Sequence, residues 1–204
     1  MIVIVDYGMG NLGTVAAKIK KMDTSVLITS NPEEISTADK LILPGVGSFK
    51  AGMENLRNRN LVPILTTKVI GEKTPILGIC LGMQLFTKKS EEGFVDGLGW
   101  IDAETIRFRF DDSRNGLKIP HMGWNTIKVK HNHPVLTNLG DMSRFYFVHS
   151  YHAWCEHQEN IIAETDYGYS FPSVIARENI IGVQFHPERS HKFGMQILKN
   201  FLEG

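Results

Sequence analysis

The stretch Pro75-Ile76-Leu77-Gly78-Ile79-Cys80-Leu81-Gly82-Met83-Gln84-Leu85 constrains the fold more than any other part of the chain. Its first half is an apolar run of strand length, and Met83-Gln84-Leu85-Phe86 reads as the opening of a helix. Between them, Gly78-Ile79-Cys80-Leu81-Gly82 has the G-x-nucleophile-x-G form of a nucleophile elbow, with cysteine in the place of serine. A strand that turns straight into a helix crowds its own corner, so side chains at 78 and 82 would collide and glycine is required there. The turn thrusts the thiol out at the carboxyl edge of a sheet and sets the Leu81 N–H where it can donate to an oxyanion. A helix N-terminus also favours the thiolate form of a cysteine. The plain alternative is that Cys80 is a small buried core residue. A base supplied from elsewhere in the chain would separate the two readings.

The segments around the elbow define its setting. Ile2-Val3-Ile4-Val5 reads as a buried strand, and Gly8-Met9-Gly10-Asn11-Leu12-Gly13 leads from it into a helix through about Met22. The loop has the form G-x-G-x-x-G, so a dinucleotide site has to be considered. That fingerprint needs an acid at the end of the second strand. Here Val26-Leu27-Ile28-Thr29 is followed by Ser30-Asn31-Pro32, with no acid before Glu33. A tight glycine turn packing helix on strand is the better reading. A third strand, Lys40-Leu41-Ile42-Leu43, runs into Pro44-Gly45-Val46-Gly47-Ser48-Phe49, whose glycines leave backbone N–H groups open to a ligand. Helical segments over 51–58 and 61–70 follow, with Met53, Leu56, Leu61, Ile64, Leu65 and Val69 facing the core.

Strands alternating with helices in this way predict an α/β fold: a mostly parallel central sheet with helices on both faces. Ligands of such sheets sit beyond the carboxyl ends of the strands, where both glycine loops and Cys80 belong. After Gly93 the pattern changes to short strand-like runs at 97–100, 104–110, 124–129, 145–148, 161–165, 174–177 and 180–184. These predict an antiparallel extension packed on the sheet or continuing it. Asp111-Asp112-Ser113-Arg114-Asn115-Gly116 reads as an exposed turn. His131-Asn132-His133 lacks a third ligand and reads as a solvated loop, so no metal or other cofactor is expected. A last helix from about Lys192 carries Phe193, Ile197, Leu198 and Phe201 on one face.

Bulk properties narrow the class. A chain of 204 residues predicts one domain over 1–204. Lys+Arg and Asp+Glu both number 22, which leaves no electrostatic case for nucleic acid or an acidic membrane surface. Two cysteines make no disulfide framework and fit a reducing cytoplasm. Met1-Ile2-Val3-Ile4-Val5 meets Asp6 at once, without the basic start of a signal peptide. No apolar run is long enough to span a bilayer.

A candidate base stands just before the last helix, in Gly182-Val183-Gln184-Phe185-His186-Pro187-Glu188. Pro187 biases His186 to an extended conformation. Residues i and i+2 of an extended segment project to the same side, so Glu188 can accept from one ring nitrogen of His186 while the other faces outward. Cys80, His186 and Glu188 then form a nucleophile, base and orienter.

Gly78-Ile79-Cys80-Leu81-Gly82-Met83-Gln84 and Gln184-Phe185-His186-Pro187-Glu188 resemble the two signatures of the class I (triad) glutamine amidotransferases. Within that class the chain is similar to the glutaminase subunits of imidazole glycerol phosphate synthase. Asp6-Tyr7-Gly8-Met9-Gly10-Asn11-Leu12, Leu43-Pro44-Gly45-Val46-Gly47, Pro120-His121-Met122-Gly123-Trp124-Asn125 and Phe147-Val148-His149-Ser150-Tyr151 extend the resemblance nearly end to end. It implies a flavodoxin-like fold and hydrolysis of L-glutamine through a Cys80 thioester. Leu81 and the Gly45-Val46-Gly47 loop would supply the oxyanion hole, and Gln84, His149, Ser150 and Tyr151 the glutamine-binding positions. It further implies a heterodimer in which ammonia passes to a (β/α)₈-barrel cyclase subunit. Asn11, His121, Met122, Trp124, Asn125 and Arg189 would lie on the face turned to that barrel.

Two departures from the family pattern keep a second acceptor open. Arg189 stands where the family usually has a lysine that pairs with a carboxylate of the barrel; the charge is kept but the geometry differs. Ser190-His191-Lys192-Phe193-Gly194 and Tyr151-His152-Ala153-Trp154-Cys155 are similar to a paralogous branch, whose ammonia goes to a sugar amidotransferase of surface-polysaccharide synthesis. A non-catalytic regulatory module of the same fold is the alternative from another class.

Overall fold

The computed structural model of the chain describes residues 1–110 and 116–204. Along the first part β1 (Ile2–Val5), α1 (Leu12–Lys20), β2 (Val26–Thr29), α2 (Pro32–Ser36), β3 (Lys40–Gly45), α3 (Phe49–Asn58), α4 (Leu61–Thr66), β4 (Ile76–Cys80) and α5 (Leu81–Leu85) succeed one another. There follow β5 (Lys89–Ser90), β6 (Val95–Asp96), β7 (Ala103–Arg107), β8 (His121–Thr126), β9 (Lys128–Val129), β10 (Arg144–His149), β11 (Tyr151–Cys155), β12 (Ile161–Tyr167), β13 (Tyr169–Arg177), β14 (Ile180–Val183) and α6 (His191–Glu203).

Eight strands form one sheet in the order β2-β1-β3-β4-β14-β13-β12-β9. The first five are parallel, and the last three run antiparallel to their neighbours. The antiparallel extension therefore continues the central sheet. Two smaller hydrogen-bonded sets stand apart from it: the pair β10-β8 and the four strands β11-β7-β5-β6.

The period of two along the strands divides the core. Val3, Val5, Leu41 and Leu43 turn to one face and pack with Ile35, Phe49, Met53, Leu56, Leu61 and Leu65 of α2, α3 and α4. Ile2, Ile4, Ile42, Leu77 and Ile79 turn to the other face and meet Val15, Ala16 and Ile19 of α1 and Ile197, Leu198 and Phe201 of α6. A sheet covered on both faces needs apolar residues at consecutive positions, which is why β1 and β4 read as unbroken apolar runs.

The structure differs from the sequence reading at several elements. No strand forms over 97–100. The N–H groups of Gly97, Leu98, Gly99 and Trp100 donate to the carbonyls of Lys88, Leu85, Thr87 and Phe86, so this loop closes the C-terminal end of α5. The helix expected over 61–70 ends at Thr66 and widens into a π-type turn, Thr67–Gly71. The two-residue strands β5 and β6 are too short for a pattern to mark. In β11, Tyr-His-Ala-Trp-Cys offers no clean alternation. His133 caps the 3₁₀ turn Pro134–Leu136, its Nδ1 accepting from Val135 N at 3.2 Å. The turn expected at Asp111–Gly116 lies outside the described residues except for Gly116.

Candidate active site

Strand β4 turns into α5 at Cys80, whose φ of 53° and ψ of −108° a β-carbon resists. A Cβ at Gly82 would lie 1.7 Å from the Leu43 carbonyl oxygen, and one at Gly78 would lie 2.5 Å from the Phe86 ring. The corner can close only with glycine at both places, as the elbow pattern predicts. In β3, Gly45 stands in register beside Cys80. A Cβ there would meet the Tyr7 hydroxyl at 2.3 Å and Leu81 Cβ at 2.8 Å, so the oxyanion-loop candidate begins hard against the elbow.

Topology supplies the rest. The returning strand β14 inserts parallel beside β4, pairing Val183 with Ile79, and the chain leaving it carries His186 to the carboxyl edge of the sheet next to Cys80. His186 Nδ1 lies 2.9 Å from Glu188 Oε1, both side chains almost wholly buried. The cause differs from the extended geometry read from the sequence. His186 is extended, but Pro187–Arg189 forms a 3₁₀ turn that folds Glu188 back under the ring. Ser190 Oγ ties the turn down, donating to His186 O at 2.6 Å and accepting from Tyr146 N at 3.0 Å. Gly194 of α6 packs so tightly on Pro187 that a Cβ would come within 1.9 Å of its carbonyl oxygen.

Burial pushes the His186 imidazole toward the neutral form, but the neighbouring Cys80 and Glu188 outweigh it and hold the pKa up at about 10. His186 Nε2 is buried and makes no hydrogen bond of ordinary geometry among the described residues. Cys80, with Glu188, holds the ring in the charged form.

A pocket of about 230 Å³ opens over the thiol, lined by Val46, Gly47, Cys80, Leu81, Gln84, Glu92, Pro120, Val148, His149, Ser150 and Tyr151. It gathers every oxyanion and glutamine-binding candidate read from the sequence except Gly45, which lies beneath it. The amino group of Gln84 is already engaged by Tyr151 O (3.0 Å) and Gln184 Oε1 (3.1 Å). Gln84 thus braces the pocket wall. His149 Nδ1 lies 2.7 Å from the same Tyr151 oxygen, and its Nε2 lies 3.0 Å from His121 Nδ1. Burial holds His149 well below its ordinary pKa and His121 down at about 4, so both are neutral.

The partner-face candidates divide. Asn11 is exposed at the start of α1, and Met122, Trp124 and Arg189 are exposed. Trp124 stacks on His191 with ring centroids 5.0 Å apart, and Arg189 lies over the Tyr146 ring. His121, by contrast, is buried between Phe147 and Tyr167, and Asn125 is half-buried against Asp166 O. Alternation along β8 turns Met122 and Trp124 outward and His121 inward.

The model of the glutamine amidotransferase class-I family matches residues 3–204. The chain belongs to this family. It is 53% identical over 203 residues to imidazole glycerol phosphate synthase subunit HisH 2 of Methanococcus maripaludis, with 100% of this chain and 99% of that protein aligned. It is 47% identical to subunit HisH 2 of Pseudomonas aeruginosa, again over 100% and 99%. A crystal structure of a glutamine amidotransferase superposes with a TM-score of 0.72 at 18% identity, covering 100% of this chain and 98% of that one. A glutamine amidotransferase from Thermotoga maritima gives 0.66 at 17%, covering 99% and 83%. These two structures share the fold.

Within this amidotransferase, three residues near the thiol were not singled out by sequence reasoning. Gln184, fully buried, donates to Cys80 Sγ at 3.7 Å. Its place two residues before His186 was the available signal. The Tyr7 hydroxyl is buried without a hydrogen-bond partner among the described residues, and burial together with the Cys80 charge keeps it protonated. Glu92 accepts from Phe49 N at 2.7 Å and so holds the start of α3 at the pocket rim; no motif marks it. Among the described residues no cluster of three His, Cys, Asp or Glu side chains could hold a metal, and no helix is long and apolar enough to cross a membrane.

Proposed function

We propose that this chain is the glutaminase subunit of an imidazole glycerol phosphate synthase, acting in the cytoplasm beside a (β/α)₈-barrel cyclase. The observation that carries the reading is the His186–Glu188 pair, 2.9 Å apart and held in the charged form next to a cysteine on a strained elbow. Identity near one half to HisH subunits over the whole chain supports the pathway.

In the proposed mechanism His186, as the imidazolium, already holds the proton taken from Cys80, and the thiolate attacks the side-chain amide carbon of glutamine. The S–C bond forms as the carbonyl electron pair moves to oxygen, where the Leu81 N–H and the Gly45–Gly47 loop stabilise it. Collapse of this adduct breaks the C–N bond, and the departing nitrogen takes the proton from His186 and leaves as ammonia. Water then attacks the glutamyl thioester with His186 as base, releasing glutamate and restoring the thiol. Glu188 keeps the imidazole oriented and stabilises its positive charge throughout.

The test is glutamate release by the purified chain, alone and with a histidine-pathway cyclase carrying a substrate analogue. We expect strong stimulation by the loaded cyclase and its loss in Cys80→Ala. A second reading, ammonia supply to a sugar amidotransferase, is favoured by the segments 190–194 and 151–155, with Arg189 in place of the usual lysine. It predicts background release with the cyclase while Cys80 is still labelled by a glutamine-like electrophile. A non-catalytic module predicts neither release nor labelling.

A further inference from the structure

We propose that Gln184 is a positioning residue for the nucleophile: its side-chain amide donates to Cys80 Sγ, and Gln84 fixes which end of that amide faces the sulfur. The inference rests on Cys80 being the nucleophile.

Hydrogen-bond polarity dictates the orientation. The Tyr151 carbonyl can only accept, so the Gln84 atom 3.0 Å from it is the amino nitrogen. The second hydrogen of that amino group points at Gln184, 3.1 Å away, and demands an acceptor, so Gln184 turns its Oε1 to Gln84. The amino end of Gln184 is left facing Cys80 Sγ at 3.7 Å. Reversing Gln184 would set two amino groups face to face and turn a carbonyl dipole on the sulfur.

The anchor carbonyl is itself held from behind. Asn125 Nδ2 donates to His121 Nε2 at 3.3 Å, His121 Nδ1 then donates to His149 Nε2, and His149 Nδ1 to Tyr151 O. Each neutral imidazole has one donor and one acceptor, so the direction of every bond in this series is set by its ends.

The position of the sulfur gives the donor a purpose. The Val148 carbonyl, 3.9 Å from the sulfur, accepts the proton of a neutral thiol but repels a thiolate. Gln184 is the neutral donor on the thiolate side, and it remains a donor after His186 has given its proton to the leaving ammonia. Gln184 is fully buried and its backbone N–H is fixed to Ser173 O at 2.9 Å, so the donor is preorganised.

The experiment is the pH profile of Cys80 alkylation by iodoacetamide, read at that residue by mass spectrometry, in the full chain and in Gln184→Glu, Gln184→Met and Gln84→Met. Gln184→Glu keeps the shape and the acceptor for Gln84 but replaces the donor to sulfur with a carboxylate oxygen. Gln184→Met removes both polar ends and tests the site without adding charge. We expect the profile midpoint to rise by about one pH unit in both, giving about tenfold slower labelling below it. Gln84→Met frees Gln184 to reverse and should move the midpoint the same way. For glutamate release we expect kcat to fall with little change in KM. A wild-type profile in either Gln184 variant that retains its circular dichroism and melting point would overturn the proposal. Labelling needs no turnover, so a shifted profile supports this role of Gln184 even where wild-type glutamate release is absent, which would count against the glutaminase reading alone.

Discussion

At the residue scale the proposed chemistry turns on the imidazole of His186. It is buried, which favours the neutral ring, yet Cys80 and Glu188 hold its pKa up to about 10. Replacing Glu188 by Gln leaves a neutral partner that no longer favours the imidazolium or selects its tautomer. We expect kcat for glutamate release to fall by about 10² to 10⁴ and the His186 titration, followed by NMR, to move down from about 10. The same shift bears on stability. A group whose folded pKa exceeds its unfolded value near 6.5 stabilises the fold fully below that value and loses its contribution as pH rises toward 10. Thermal melts of the wild type should therefore decline over that alkaline window, and those of Glu188→Gln should decline less.

At the element scale the elbow and the histidine-bearing strands make opposite demands. Gly82→Ala forces a Cβ into the Leu43 carbonyl, a backbone atom that cannot step aside. We expect a loss of about 3 kcal/mol or more in urea titrations, or failure to fold. Gly13 in α1 is the contrasting case, since a Cβ there meets nothing within 4 Å. Gly13→Ala should raise stability by about 0.5–1 kcal/mol. That open space also argues against the dinucleotide fingerprint, whose third glycine exists for close helix–strand packing. Strands β8, β10 and β11 carry His121, His149 and His152, all neutral through burial, with His121 and His152 down at about 4. Their folded pKa values lie below the unfolded one, so their contribution is complete above about pH 6.5 and is lost as pH falls toward 4. Chemical denaturation across that range should show stability falling with acid, and His152→Gln should flatten the slope.

At the scale of the whole molecule the carboxyl edge of the parallel strands collects the candidate active site and the start of the candidate partner face. The elbow, the 45–47 loop, the turn after β14 and the start of α1 all meet there because β14 returns to the middle of the sheet. Met122, 61% exposed on β8, is the apolar side chain of the proposed partner face most open to solvent. If the proposed barrel cyclase is the partner, Met122→Glu should abolish co-elution with it while leaving the melting temperature and Cys80 labelling of the isolated chain unchanged.

Local crowding and chemistry were readable in the linear chain. Gly78 and Gly82 announced a tight strand-to-helix corner, and the His-Pro-Glu run announced a histidine with a carboxylate partner, because these constraints act between residues close in sequence. The apolar runs of β1, β3 and β4 likewise announced strands covered on both faces. What the linear chain could not disclose depends on partners far apart along it. The loop 97–100 looks like a strand until its N–H groups are seen closing α5. His121 looks like surface until the pleat of β8 turns it toward Phe147 and Tyr167. Gln184 looks like the end of a strand until β14 slides in beside β4. Which amide end faces Cys80 is then settled by a carbonyl 33 residues upstream, that of Tyr151, acting through Gln84. Hydrogen-bond polarity propagates only through three-dimensional contact, so that decision belongs to the tertiary structure alone.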